Sequence, residues 1–256
     1  MNRRTFVAAT VAGFGACLPL LNGCAPAETS TPAYAARSAD APKGRMLVII
    51  LDETASFCDQ WDQAVKTASA GVRELYPGDS CVVIGLDDHS WNSDDVRVAM
   101  TTLPLSTLPA AQAKANLAES IRKLRQRPTS SGFTVNGKPR GAPPGTDTAG
   151  ALDYAAYLAR DAGNRAVTVA MFTDLENEPP KVETARRDPN PLPRFTHLFV
   201  YQIRSRGGND TTKRIGEWIA RANAMRTPGT PDICAEQDFH LIGAASQTPS
   251  FFGWTH

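Results

Sequence analysis

From residue 45 onward the chain alternates between two kinds of apolar pattern, and this alternation restricts its fold more than any other feature. Residues 46–51, 81–86, 167–172 and 197–203 are near-continuous apolar runs of strand length. Runs with no regular polar position belong to strands covered on both faces, the usual condition of a parallel sheet. Residues 238–244 form a weaker run of the same kind. Between the runs, apolar residues recur at steps of three and four: Trp61, Val65, Ala68, Val72 and Leu75, then Leu117, Ile121 and Leu124, then Ile215, Trp218, Ile219 and Ala222. Each series draws one apolar stripe along a helix. Leu152, Ala155 and Ala159 mark a further helix whose small residues permit close packing. The alternation predicts an α/β domain: a doubly wound, mostly parallel sheet with helices on both faces. Residues 96–103 are expected to add one antiparallel edge strand, paired with 81–86 through the polar turn 87–95.

The N-terminus has a different character. Arg3 and Arg4 precede an uncharged stretch, 6–21, that Gly13, Gly15 and Pro19 interrupt. A bilayer span needs about 20 apolar residues, so this segment reads as a signal peptide. It ends Leu20-Leu21-Asn22-Gly23-Cys24. An apolar residue three before a cysteine, with a small residue directly before it, resembles the lipobox of bacterial lipoproteins. That resemblance implies cleavage before Cys24 and lipidation of Cys24, whose acyl chains together anchor stably where one chain would be marginal. Arg3-Arg4-Thr5-Phe6-Val7 also resembles a twin-arginine export signal, although any signal peptide needs positive charge there. Residues 24–43 are rich in Ala, Pro, Ser and Thr without apolar periodicity, as in a flexible linker. The expected organisation is a signal peptide over 1–23, a lipidated linker over 24–43, a domain over 44–247 and an aromatic tail over 248–256. Phe251, Phe252 and Trp254 in that tail are expected to pack on the domain, or else to form a partner patch. The expected location is the bacterial cell envelope, lipid-anchored to a membrane on its periplasmic or extracellular face.

Charge narrows the partners. Lys plus Arg number 27 against 26 for Asp plus Glu, and removing Arg3 and Arg4 leaves the mature chain close to neutral. So balanced a chain lacks the basic field that holds nucleic acid. Of the five cysteines, Cys58, Cys81 and Cys234 remain beyond the anchor. Three allow at most one internal disulfide, with the pairing left open, and their spacing matches no zinc pattern.

In a doubly wound sheet, ligands gather at the carboxyl ends of the strands. The first apolar run leads into Asp52-Glu53-Thr54-Ala55-Ser56, where Asp52, Thr54 and Ser56 alternate. Ser56 followed by Asp59 could also be a simple helix cap. Gly145-Thr146-Asp147-Thr148 opens the helix of Leu152, and Thr173-Asp174 ends the run 167–172. Together, Asp52, Thr54, Ser56, Thr146 and Asp174 resemble the metal-ion-dependent adhesion site of von Willebrand factor type A domains, found in integrins and many bacterial surface proteins. The set is all oxygen, suited to a hard cation that keeps some waters. The resemblance implies Mg²⁺ (or Mn²⁺ or Ca²⁺), with Ser56, Thr146 and Thr54 binding directly and Asp52 and Asp174 binding directly or through water. It further implies an open position that accepts a carboxylate from a protein partner. The sequence departs from the family pattern in two places: Thr54 stands where serine is usual, and Leu175 where glycine is common. Glu176 brings further negative charge nearby.

The expected function is that of a membrane-anchored binding module, not an enzyme, and no catalytic residue is assigned. A metal-assisted hydrolase at the same strand ends is the alternative, although an Asp-x-Asp-x-Thr arrangement is absent. An envelope scaffold with a structural metal is a third reading. Asp87, Asp88, Asp94 and Asp95 surround His89 and Trp91 without the spacing of a calcium loop, and are expected to form a solvated turn. His197 and His240 lie within apolar runs and are expected to be structural. Residues 176–194 carry five prolines and mixed charge. They are expected to tune partner choice without supporting the core, or to be a disordered insertion.

Overall fold

Eight consecutive buried residues, Arg45–Asp52, form the central strand β1. The computed structural model describes residues 44–54, 56–57, 60–88, 90, 96–124, 133–135, 138–140, 145–162, 165–174, 191–194, 196–202, 211–241 and 251. The signal segment, the linker with Cys24, Cys58, Asp59 and Glu176 lie outside the described residues. After β1 come α1 (Trp61–Gly71), β2 (Ser80–Leu86), β3 (Val96–Thr102), α2 (Thr107–Lys123), β4 (Phe133–Val135) and β5 (Lys138–Arg140). Then follow α3 (Thr148–Ala159), β6 (Ala166–Thr173), β7 (Thr196–Gln202), α4 (Thr211–Ala224) and β8 (Phe239–Leu241).

Six strands make one sheet in the order β3-β2-β1-β6-β7-β8. All neighbours run parallel except β2 and β3. This is the expected α/β sheet with one antiparallel edge strand. Alternation along β1 divides the core in two. Met46, Val48 and Ile50 pack with Leu152, Ala155, Trp218 and Ala222 from α3 and α4. Leu47, Ile49 and Leu51 pack with Trp61, Val65, Leu117 and Ile121 from α1 and α2. Among the described residues no helix is long and apolar enough to cross a membrane.

Several expectations need correction. The stripe from Trp61 to Leu75 is buried throughout, but the α-helix stops at Gly71, tightens into a 3₁₀ turn over Val72–Glu74 and becomes extended at Leu75. The stretch before Gly145 contains a two-stranded hairpin, β4 paired with β5, that the strand reading passed over. Asn136-Gly137 lies between its strands and is a strong two-residue hairpin signal. The turn after β2 is not solvated at its start: Asp87 and Ser90 are buried, and the Ser90 hydroxyl accepts from Asp87 N–H at 2.8 Å. The end of the 176–194 stretch belongs to the core, because Leu192 is fully buried and its N–H donates to the Met225 carbonyl at 2.7 Å. Cys81 and Cys234 are free and buried in opposite halves of the core, so they do not pair with each other. Burial pushes each thiol up to about 12, leaving it un-ionised and unreactive at neutral pH.

Candidate metal centre at the strand ends

Parallel pairing brings the carboxyl ends of β1, β2 and β6 to one edge of the sheet. Asp52 is the last residue of β1 and lies opposite Leu86, the last residue of β2. On its other side Leu51 pairs with Phe172, which sets Asp52 level with Thr173. The chain then leaves β6 at Asp174. Thr146 arrives on the loop before α3, and that loop is tied to the same edge by Asp147 N–H donating to the Asp87 carbonyl at 2.7 Å. The Asp147 carboxylate also caps α3 by accepting from Gly150 N–H at 2.9 Å. A Cβ at Gly150 would stand 2.1 Å from that carboxylate, so the glycine makes room for the cap.

Asp52 is completely buried, and its two oxygens are held from different segments, the loop after β1 and the end of β6. Its Oδ1 accepts from the Thr54 backbone N–H at 2.9 Å and from the Thr54 hydroxyl at 2.6 Å. Its Oδ2 accepts from the Thr173 hydroxyl at 2.8 Å. The Thr54 and Ser56 hydroxyl oxygens are 3.2 Å apart. Ser56 is exposed, whereas Thr54, Thr146 and Asp174 are buried. The simple-cap alternative for Ser56 is not what forms, since the N-cap of α1 is Gln60. Asp52, Thr54 and Ser56 therefore make one bonded chain of oxygens running from the interior to the surface.

The electrostatics follow from this burial. Desolvation, and then the nearby Asp174 carboxylate, raise the Asp52 carboxyl from 3.8 to about 7, against the opposing effect of its bonds from Thr54 and Thr173. Two carboxylates so placed repel in a poorly solvated site. Among the described residues no three His, Cys, Asp or Glu side chains converge as a metal cluster. The oxygen set here has two carboxylates and three hydroxyls, a composition that fits Mg²⁺ with part of its water shell retained. Thr54 donates its hydroxyl proton to Asp52, so Ser56 is the donor in the 3.2 Å pair and one Thr54 lone pair stays open to a cation.

Two features of this edge escaped the sequence reading. Thr173 was visible beside Asp174, yet its bond to Asp52 depends on strand register. The other is Glu53, whose backbone N–H donates to the Leu86 carbonyl at 2.9 Å and whose carboxylate takes both Nε and Nη2 of Arg97 on β3. The pair nests over Gly85, where a Cβ would lie 2.6 Å from Arg97 Nη2 and 2.9 Å from Glu53 Cδ. The charge beside Asp52 is thereby committed to an arginine. Arg97→Met should cost about 3–5 kcal/mol in urea unfolding, because it leaves a buried carboxylate uncompensated. Adding Glu53→Gln should recover much of that loss. Equal losses in the single and double variants would show that packing, not charge pairing, is what Arg97 supplies.

No family model matches the chain, and no curated protein matches it. Among solved structures it is similar to a von Willebrand factor type A protein from Catenulispora acidiphila, at 14% identity and a TM-score of 0.37, covering 72% of this chain and 32% of that one. It is also similar to the pilus adhesin SpaC from Lactobacillus rhamnosus GG in an open conformation, at 11% identity and a TM-score of 0.44, covering 83% of this chain and 29% of that one. A third is proximal thread matrix protein 1 from the mussel byssus with a zinc-occupied MIDAS motif, at 11% identity and a TM-score of 0.37, covering 64% of this chain and 39% of that one. The chain spans less than half the length of each of these three.

Proposed function

We propose that the chain is a lipid-anchored, extracytoplasmic binding module that holds a divalent cation at the strand ends and uses it to engage a carboxylate on a protein partner. The observation that carries this reading is Asp52: a buried carboxylate, oriented by Thr54 and Thr173, facing the charge of Asp174. A cation would turn that repulsion into attraction. Thr54, Ser56 and Thr146 would supply hydroxyl oxygens, and Asp52 and Asp174 would neutralise the charge directly or through water. The bound ion would offer Lewis acidity to an incoming carboxylate, Mg²⁺ being the best fit, with Mn²⁺ or Ca²⁺ as substitutes. Exposure of Ser56 gives the partner its approach.

Binding, not catalysis, is the reading these residues support. Both Asp52 oxygens are pinned by hydroxyl or amide donors, which suits holding an ion and does not suit nucleophilic attack. The anchoring half of the proposal rests on Cys24 and its lipobox-like approach. Cys24→Ala should release the protein from membranes or block its processing. Recovery of partners from the intact chain should fall to background in chelator and return with Mg²⁺, and Thr146→Ala should weaken it without changing net charge. Recovery indifferent to chelator would remove the cation from the binding step, and Cys24→Ala protein retained on membranes at normal mobility would remove the anchor.

A further inference from the structure

The large hydrophobic side chains exposed among the described residues are Tyr76, Met100, Leu105 and Leu108, at 53%, 46%, 85% and 85%. Tyr76, Leu105 and Leu108 come from two segments that meet at one corner, whereas Met100, next to the Thr101 that pairs with Cys81, faces the other side of the sheet from α2. That corner is the amino-end edge of the parallel strands, opposite the candidate cation site. The 3₁₀ turn at Val72–Glu74 leads into the loop of Tyr76 and Gly78 just before β2. The loop is joined to the end of β3 by Gly78 N–H to the Leu103 carbonyl at 3.0 Å and Leu103 N–H to the Asp79 carbonyl at 2.8 Å. Leu105 leans on Gly78, its Cδ2 lying 3.1 Å from where a Cβ would stand. Leu108 follows in the first turn of α2.

Two more observations say what covers this corner. The first is charge: between Arg97 and Glu119 the one charged residue is Lys114, and residues 104–109 are all exposed. A solvated loop and helix start ordinarily carry charge; here an exposed uncharged surface is flanked by exposed Arg73 and by Lys114, whose ammonium donates to the Arg73 and Leu75 carbonyls at 3.0 Å each. Of the acidic residues beside it, Glu74 and Asp79, the latter is paired with Arg45 at 2.7 Å. Apolar tips within a basic, acid-poor surround suit an anionic lipid interface. The second observation is where the chain enters. Arg45, the first residue of β1, stacks its guanidinium over the Tyr76 ring at 4.4 Å, so the backbone arriving from Cys24 reaches the domain at this same corner. Gly44 lies twenty positions after Cys24, a covalent reach of at most about 70 Å.

We infer that the corner of Tyr76, Leu105 and Leu108 is the face the domain lays on the lipid surface to which it is anchored. Resting on the proposed lipid anchor, this inference fixes an orientation: the cation site, about 23 Å away along β1 at 3.3 Å per residue, points away from the bilayer toward a partner. An apolar corner beside the tether lowers the cost of holding the domain down, since the anchor already supplies the local concentration.

The test places the full mature chain on nanodiscs containing anionic lipid and a gadolinium-chelate headgroup, in two forms. One carries the native lipid at Cys24; the other carries an N-terminal His-tag in place of the lipid, held by a nickel-chelating lipid. Methyl signals of Leu103, Leu105 and Leu108 should broaden several-fold more than those of Thr54 and Thr146 in both forms, and Leu105→Glu with Leu108→Glu should erase the difference at Leu103, which lies at the same edge and keeps its methyls in the variant. Equal broadening at both edges of the tagged form would overturn the inference while leaving the anchor intact. Unequal broadening in the tagged form, with no lipid carried by the native one, would overturn the anchor and keep the face. Leu105 and Leu108 signals that ignore the lipid but shift with protein concentration would assign the corner to a second copy and overturn the inference.

Discussion

Adding Mg²⁺ or Mn²⁺ to the metal-free protein should raise its unfolding midpoint, and Asp52→Asn should remove that response while stabilising the metal-free form. At a hundredfold excess over the dissociation constant, binding to the native state alone contributes about 2.7 kcal/mol. The variant should behave oppositely because the Asp52 charge would be a burden until a cation offsets it. Its carboxyl is raised from 3.8 to about 7 by burial and by Asp174. Between those values the native state keeps a proton that the unfolded chain has released, so the metal-free wild type loses stability as the pH rises from about 4 through 7. Asn carries no such charge, can still accept the Thr54 N–H at Oδ1, and can donate to the Thr173 hydroxyl, which turns to accept. Thermal unfolding across that pH range, with and without Mg²⁺, should therefore show a falling limb in chelator that the cation flattens and Asp52→Asn abolishes. A wild-type curve unmoved by either cation, together with an Asn variant less stable than wild type at pH 8, would remove the cation site and make Asp52 an ordinary buried hydrogen-bonding group.

Truncating Phe251 should unfold the domain almost as readily as emptying its core. Phe251 is fully buried against the α1 side of the sheet, and its ring meets Tyr201 edge-on with centroids 5.6 Å apart. Its carbonyl accepts from the Thr168 hydroxyl at 2.8 Å. The ring occupies the space a side chain at Gly71 would need, since a Cβ there would lie 1.5 Å from Phe251 Cε2. Phe251→Ala should cost about 3–5 kcal/mol, measured by urea unfolding. Gly71→Ala alone should also destabilise, by about 1–3 kcal/mol, because the ring must move. In the Phe251→Ala background the same alanine should be neutral or favourable, since the obstruction is gone and alanine suits a helix better than glycine. Additive losses would mean that the two positions act independently.

Phe251 also settles one of the two readings of the aromatic tail: this residue packs on the domain. Phe252 and Trp254 lie outside the described residues. The strands were legible because central strands of a parallel sheet contact helices on both faces, so the apolar requirement falls on every successive residue of β1 and β6. The helical stripes were legible for the same reason, one face per helix. The β4–β5 hairpin was legible only in its Asn136-Gly137 turn, because three-residue strands carry too little alternation to show a period.

For the site, the sequence by itself determined which oxygen-bearing residues follow each strand, because the end of an apolar run marks where the backbone turns toward the ligand edge. Asp52, Thr54, Ser56 and Asp174 could be named on that basis, whereas Thr146, which precedes α3, was joined to them only through the resemblance to the adhesion site. Tertiary structure alone decided what those residues do to one another. Thr173 reaches Asp52 across 121 positions of chain, and Glu53 meets Arg97 across 44. Strand register sets both meetings, and no local pattern encodes it. The raised Asp52 carboxyl has the same origin. Desolvation depends on how completely other segments cover a group, and Coulomb repulsion on its distance to Asp174; both are properties of the assembled sheet and not of the order of residues along it.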